Sequence, residues 1–356
     1  MSEVGRRKDE HLELCATDEV SFRGRSTLLE HVRLVHDALP DLSLDEVDLG
    51  VELLGKRLRA PLIVAGMTGG TDRAAEVNRA LARLAQRRGY GFGVGSQRAM
   101  ARAQDVTWTY AVRDVAPDVL LLGNLGVVQA RAMSTDAIDA LVRAIGADAL
   151  CVHLNPAMEL VQPEGDRDFR EGTSTLARLV AELPVPVVAK ETGCGIGPAA
   201  ARKLRRAGVR YCDVSGAGGT SWVGVETLRA QGARRALGEA LWDWGVPTAP
   251  SIVYAAREGL QPIATGGVRT GLDVARALAL GAVAAGLART VYQAWTRGGE
   301  PAADALLDAI EQELRAVMVL TGSRTIDALR RAPHVVTGEL RDWLALDGDV
   351  VSTTPR

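Results

Sequence analysis

Aromatic residues make up only 4 % of the 356-residue chain, too few for the stacking platforms that bind single-stranded nucleic acid. An excess of one charge is also missing: 42 basic and 44 acidic side chains give a formal net charge of −2. That balance provides no long-range field to gather nucleic acid or an acidic membrane surface. Cysteine is scarce, with Cys15, Cys151, Cys194 and Cys212 all outside CxxC spacing. A zinc knuckle or redox pair is thereby excluded, and no disulfide framework is implied, so a reducing cytoplasmic setting is expected. Cys151 and Cys212 fall in apolar runs and are expected in the core. No apolar run reaches bilayer length, so no membrane span is expected, and the opening MSEVGRRKDEH lacks the apolar segment of a signal peptide.

What is present is a core-forming chain, 47 % apolar, with 38 glycines available for tight turns and close backbone approaches. Eight short apolar runs occupy 61–67, 90–95, 118–124, 148–154, 185–190, 209–216, 261–267 and 282–288. Most lack polar alternation, as in strands buried on both faces of a parallel sheet. Amphipathic Ala/Arg/Leu-rich stretches separate them. The stretch 73–89 ends at Gly89, a C-cap signal, and 134–146 runs from an N-cap candidate, Ser134, to Gly146. Eight strand–helix units predict an α/β fold of the (β/α)8 TIM-barrel type. The rival, a doubly wound open sheet, lacks its usual G-x-G-x-x-G turn after the first strand. The expected organisation is an N-terminal extension over 1–60 reaching the barrel mouth, a barrel over 61–331 with an insertion at about 216–260, and a C-terminal segment and tail over 332–356.

Polar residues gather where these strands end, the face on which barrels carry their chemistry. The densest group follows the fourth run: residues 153–169 read HLNPAMELVQPEGDRDF. Within it, Glu159 and Glu164 are oxygen ligands of the kind that hold Mg2+ together with a substrate phosphate. The first run ends in Met67-Thr68, the second in Ser96-Gln97-Arg98, the third in Asn124, and the fifth in Lys190-Glu191-Thr192. A lysine there can hold the edge of a flavin where negative charge grows on reduction, or simply pair with Glu191. Met67 and Thr68 suit the edge of a flavin ring, although a lone Met is commonly core filling. The loops SGAGGTSW (215–222) and TGGVRTG (265–271) carry Thr220, Gly266, Gly267 and Arg269, and the eighth run contributes Gly286 and Ala288. Two glycine-rich loops on neighbouring strands suit a phosphorylated cofactor such as FMN, the bland alternative being tight turns alone. Arg6, Arg7 and Lys8, with His11 nearby, form a cationic cluster near the N-terminus, the bland alternative being a solvated tail. Folded over the mouth, they would meet Arg98, His153 and Asn155 around a diphosphate. Glu226 lies six residues past Thr220, near the cofactor or paired within its own helix.

The segments RKDEH, LVHDALPDLSLDEVDL, APLIVAGMTGGT, GVGSQRA, NLGVVQ, HLN…PEGDRDF, VAKETG, DVSGAGGTSW, ATGGVRTGLDVARALALGA and RRAPHVVTGELRDWL occur in this order. Together they resemble the type 2, FMN-dependent isopentenyl-diphosphate isomerases over nearly the whole chain. The resemblance implies an FMN-binding barrel that moves a double bond in a prenyl diphosphate. It also implies reduced FMN as the active form, NADPH to reduce it, Mg2+, and a symmetric homo-oligomer. Carried over, Thr68, Ser96, Asn124, Lys190, Thr192, Thr220 and the Gly266–Gly267 loop would hold FMN. Arg7, Lys8, Arg98, His153 and Asn155 would hold the diphosphate, and Glu159 would bind Mg2+.

One position departs from the family pattern H-x-N-x-x-Q-E: Met158 stands where the proton-handling Gln is expected. A thioether is only a weak acceptor, so three readings stand. The chain is the isomerase, with the flavin or Glu226 compensating; or it protonates another prenyl diphosphate to start a rearrangement or cyclisation; or it binds flavin without isomerase turnover. An α-hydroxy-acid oxidase shares the expected fold but needs a His base with Arg clamps for a carboxylate, whereas His153 sits in an HxN sequence beside carboxylates.

Overall fold

In the computed structural model, which describes residues 3–346, each of the eight apolar runs forms a barrel strand. In chain order these are β1 Leu62–Val64, β2 Gly91–Gly93, β3 Leu120–Gly126, β4 Ala149–Leu154, β5 Val187–Glu191, β6 Tyr211–Asp213, β7 Gln261–Ala264 and β8 Ala284–Leu287. Every neighbouring pair is parallel, and β8 pairs back onto β1 to close the ring. β1, β2, β3 and β8 are buried at every residue, which is why these runs show no polar alternation.

The helices form where their caps permit. In Asp72–Arg88, Thr71 accepts from Ala74 N, and Gly89 ends the helix in the left-handed region at φ 66°. Thr135–Ile145 follows the same plan, with Ser134 accepting from Ala137 N and Gly146 at φ 63°. Between β6 and β7 the chain makes three helices, Trp222–Arg229, Gly232–Ala240 and Thr248–Arg257. After β8 a long helix, Arg289–Leu320, breaks at Gly298 and Gly299. The short strand His334–Val336 pairs antiparallel with Val32–Leu34. Residues 347–356, the last part of the expected tail, lie outside the described residues.

Two parts of the N-terminal extension serve opposite ends of the barrel. The hairpin Val51–Leu53 with Lys56–Leu58 turns through Leu54 (φ 51°) and Gly55 (φ 83°), a pair of positive φ values that matches the twist of a two-residue hairpin. Its Leu53, Leu54 and Leu58 pack against Ile63, Leu120 and Val188 in the barrel interior. Lys56 fastens it there, 2.9 Å from Asp148 and donating to the carbonyl oxygens of Asp118 and Val119. The entry ends of the strands are thus plugged with leucine, and the polar layer is confined to the exit ends. There the helix Glu3–Cys15 packs beside Asp72–Arg88 and Trp222–Arg229. Asp9 accepts from Thr71 at 2.8 Å, Glu10 from Arg229 at 2.7 Å and Glu13 from Arg73 at 3.2 Å.

Leu53→Ala opens a void in this plug and is expected to cost about 2–5 kcal/mol in denaturant unfolding. Flavin uptake, measured at a temperature where the variant is folded, should not change, because the plug lies at the far end from the polar layer.

Candidate active site

The exit ends of the strands and the helix Glu3–Cys15 enclose one cavity of about 1410 Å³, including its solvent-open part. From the barrel, Met67, Ser96, Asn124, Lys190, Thr192 and Thr220 line it. Gly266, Gly267, Arg269, Gly286 and Ala288 form its wall on the β7–β8 side, and Arg98, His153, Asn155, Met158 and Glu159 form the opposite wall. Arg7, Lys8 and His11 reach it from the N-terminal helix. Thr68 and Glu226 do not face it. Thr68 is 1 % exposed with no partner for its hydroxyl, and Glu226 is fully buried. Glu164 is exposed on the loop beyond Gln162, so the expected acidic pair reduces to Glu159.

The floor is a charge pair that sequence order concealed. Lys190 Nζ lies 2.7 Å from Asp213 Oδ2, not against Glu191. Thr265 donates to the other Asp213 oxygen and accepts from Ser215 N at 3.1 Å. Adjacent residues on a strand point to opposite faces, so Lys190 faces inward and Glu191 faces the helix layer. There Glu191 accepts from the backbone N–H groups of Thr192, Cys194 and Gly195 at 2.5–2.9 Å. Burial outweighs those bonds and pushes its carboxyl up to about 8.

The glycine-rich loops meet backbone to backbone. A Cβ on Gly219 would stand 2.3 Å from Gly267 N, and one on Gly266 would stand 2.2 Å from the Gly216 carbonyl oxygen. Gly266 and Gly267 also hold φ of 91° and 83°, conformations that side chains resist. The same packing brings Arg269 onto one wall with Arg289, a residue the sequence reading missed. Arg289 directly follows Ala288, a position from which it was findable. It donates to Ser21 at 2.8 Å, while its buried Nη1 has no protein partner. Ser221 is structural: it caps the helix Trp222–Arg229 and donates to Trp242 O at 2.7 Å.

The opposite wall is crowded with cations. Among the described residues, Arg7, Lys8 and Arg98 form no ion pair with a carboxylate, and the buried Nε atoms of both arginines lack partners. Burial, with Arg7 and Arg98 nearby, pulls Lys8 down to about 8. Burial and Lys8, Lys190 and Arg98 hold His153 down to about 3, so it is a neutral imidazole, its Nδ1 2.8 Å from Asn124 Oδ1. Buried cations without carboxylates need an anion. His11 Nε2 is 2.9 Å from Glu226, which Arg229 also contacts at 2.6 Å. Although burial opposes it, these two partners keep the Glu226 carboxyl below its ordinary range.

Asn155 Nδ2 donates to Glu159 Oε1 at 3.1 Å and also lies 3.7 Å from the Met158 sulfur. Asp166 N donates to Glu159 Oε2 at 2.7 Å. Each carboxylate oxygen keeps a lone pair, so one protein carboxylate can share Mg2+ with a phosphate. No cluster of three or more potential metal ligands occurs among the described residues.

A family profile described as FMN-dependent dehydrogenase matches residues 2–162 and 168–337. Isopentenyl-diphosphate delta-isomerase of Methanosarcina acetivorans is 45 % identical over 351 residues, covering 97 % of this chain and 95 % of that protein. The enzymes of that name from Thermococcus onnurineus and a Nostoc species are 44 % and 43 % identical, covering 95 % and 92 % of this chain and 93 % and 94 % of theirs. The chain belongs to the FMN-dependent dehydrogenase family and, within it, to the isopentenyl-diphosphate delta-isomerases. Its cofactor is FMN, and the buried guanidinium of Arg289 beside Arg269 suits that cofactor's phosphate. Solved flavoenzymes share the barrel. A mandelate oxidase variant with an FMN adduct superposes with a TM-score of 0.63 at 20 % identity, covering 91 % of this chain and 95 % of that one. A Pediococcus acidilactici protein described as a putative lactate oxidase gives 0.66 at 18 %, covering 94 % of each chain. At such identities the likeness concerns the fold alone.

Gly219→Ala forces the β6 and β7 loops apart. FMN affinity, followed by flavin fluorescence, should fall by at least about tenfold with the far-UV spectrum unchanged, as expected for the loss of one or two charge-assisted bonds to phosphate.

Proposed function

We propose that the protein interconverts isopentenyl diphosphate and dimethylallyl diphosphate. The observation that carries this reading is the cluster of buried Lys8 with half-buried Arg7 and Arg98, without ion-paired carboxylates among the described residues, facing the Lys190–Asp213 floor across one cavity. The cluster binds a diphosphate by charge and by the fork geometry of two guanidiniums. Glu159 presents its carboxylate to Mg2+ on that diphosphate. Asn124 orients His153, and Asp213 orients Lys190 toward the cofactor. When bound, reduced FMN would supply acid–base chemistry for moving the double bond, held by the residues that line the β7–β8 side and by Lys190. NADPH as reductant, Mg2+, a symmetric oligomer and a cytoplasmic location complete the reading. The resemblance supports the first three, and the four unpaired thiols support the last.

Met158 favours a second reading. Its thioether faces the cavity where a proton-handling amide is expected, and the loss of such a group costs a factor of about 10²–10⁴. An apolar, polarizable side chain beside a cationic intermediate tolerates it without capturing it, which suits protonation of a longer prenyl diphosphate. Incubation of the reduced holoprotein with isopentenyl diphosphate in D2O decides between the readings. Deuterium entering dimethylallyl diphosphate supports the first, and Met158→Gln should then raise the rate by at least tenfold. A rearranged or cyclised product from a longer substrate, with no isomerisation, supports the second. A bound flavin with no turnover of either substrate sinks both.

Lys8 gives the site a pH signature. Its amine in the free protein titrates near 8, so it is charged below that value and neutral above it, and anion binding above pH 8 must draw in a proton. The dissociation constant for isopentenyl diphosphate is expected to rise by up to roughly tenfold between pH 8 and pH 9. Lys8→Met should bind more weakly and lose this dependence in calorimetric titrations.

A further inference from the structure

Gln162 lines the cavity and is only 2 % exposed, yet its side-chain nitrogen has no hydrogen-bond partner in the protein. Among the described residues, it is the one carboxamide left in that condition. Its backbone is committed: the N–H donates to Met158 O at 2.9 Å, and the carbonyl oxygen accepts from Gly165 N at 3.1 Å and from Arg167 at 3.0 Å. The end of the helix Pro156–Val161 therefore fixes where the side chain starts. Two neighbouring amides do have carboxylate acceptors, Asn155 on Glu159 at 3.1 Å and Gln129 on Asp166 at 2.8 Å. Glu159, one turn before Gln162, already accepts from Asn155 and Asp166 N. Met158, four residues earlier, offers only a weakly accepting sulfur. An amide with two N–H donors is costly to bury unsatisfied, and here the residue lines the ligand cavity, where a bound head group can supply the missing acceptor.

We propose that Gln162 is a substrate-binding residue whose amide donates to the anionic head group beside Glu159, to a phosphate oxygen or to a water held by the metal ion. This rests on the diphosphate reading of the cavity and adds to it a neutral donor on the wall that carries Glu159. A neutral donor recognises the head group without adding to the cationic repulsion among Arg7, Lys8 and Arg98.

The test is calorimetric titration of the FMN-loaded protein with inorganic diphosphate at fixed pH, with and without Mg2+. Gln162→Leu should weaken binding by about tenfold, and Gln162→Glu, which sets an acceptor against an anion, by about a hundredfold without Mg2+. If Mg2+ restores most of the loss in Gln162→Glu, the amide faces the metal's water. An equal loss with and without Mg2+ places it on a phosphate oxygen. Flavin uptake and melting temperature should match those of the parent protein, and in turnover KM should rise while kcat stays within about threefold. Should Gln162→Leu not fold, Gln162→Asn, which draws the amide back by one methylene, should give the same weakening. Binding within twofold of the parent in these variants overturns the proposal. Parent protein that binds diphosphate but does not isomerise leaves the proposal standing and removes the isomerase reading. Parent protein that does not bind diphosphate removes both.

Discussion

Three cations held close together, with no ion pair to a carboxylate among the described residues, is the constraint around which the mouth is built. The helix Glu3–Cys15 carries Arg7 and Lys8 toward Arg98, and burial, helped by the mutual repulsion of the three, loosens the Lys8 proton. The helix is held in place through its other faces. Asp9, Glu10 and Glu13 each bond to a neighbour on the barrel, and Leu12 is buried beneath. The acidic residues of the motif thus neutralise the outside, and its basic residues are left for the ligand. A scaffold that paired every charge would be more stable in isolation but would have no affinity for a diphosphate.

The barrel itself was legible because its determinants are local in sequence. Each strand is an unbroken apolar run, and the helices 72–88 and 135–145 begin at hydroxyl caps and end at left-handed glycines. The polar groups past the strand ends could be read for the same reason, since barrel geometry places all such ends on one face. What escaped notice depends on partners distant in the chain. Lys190 looks toward Asp213, 23 residues on, and neither residue announces the other. Glu164 resembles a metal ligand on paper, but the turn after Gln162 leaves it in solvent. The hairpin that plugs the barrel was also missed, because its strands are three residues long and its turn uses leucine at a position where Asn or Gly is the usual signal.

The glycine-rich loops show that a glycine can serve the protein's own packing as well as a ligand. Gly266 and Gly267 were expected to let backbone approach a ligand, yet their first neighbours are the protein's own loops. The wall on the β7–β8 side is therefore a consequence of two glycine-rich loops fitting together. Its precision comes from a contact that a single methyl group would destroy.

The pairing of Val32–Leu34 with His334–Val336 joins two segments distant in the chain into one small sheet. On the ribosome the first of these strands emerges some 300 residues before the second. During synthesis Val32–Leu34 therefore stays without its strand partner until His334–Val336 has left the ribosome. The helix Glu3–Cys15 waits less long, because its supports Asp72–Arg88 and Trp222–Arg229 emerge well before that sheet can form, so the ligand-binding mouth and the small sheet can be completed at separate times.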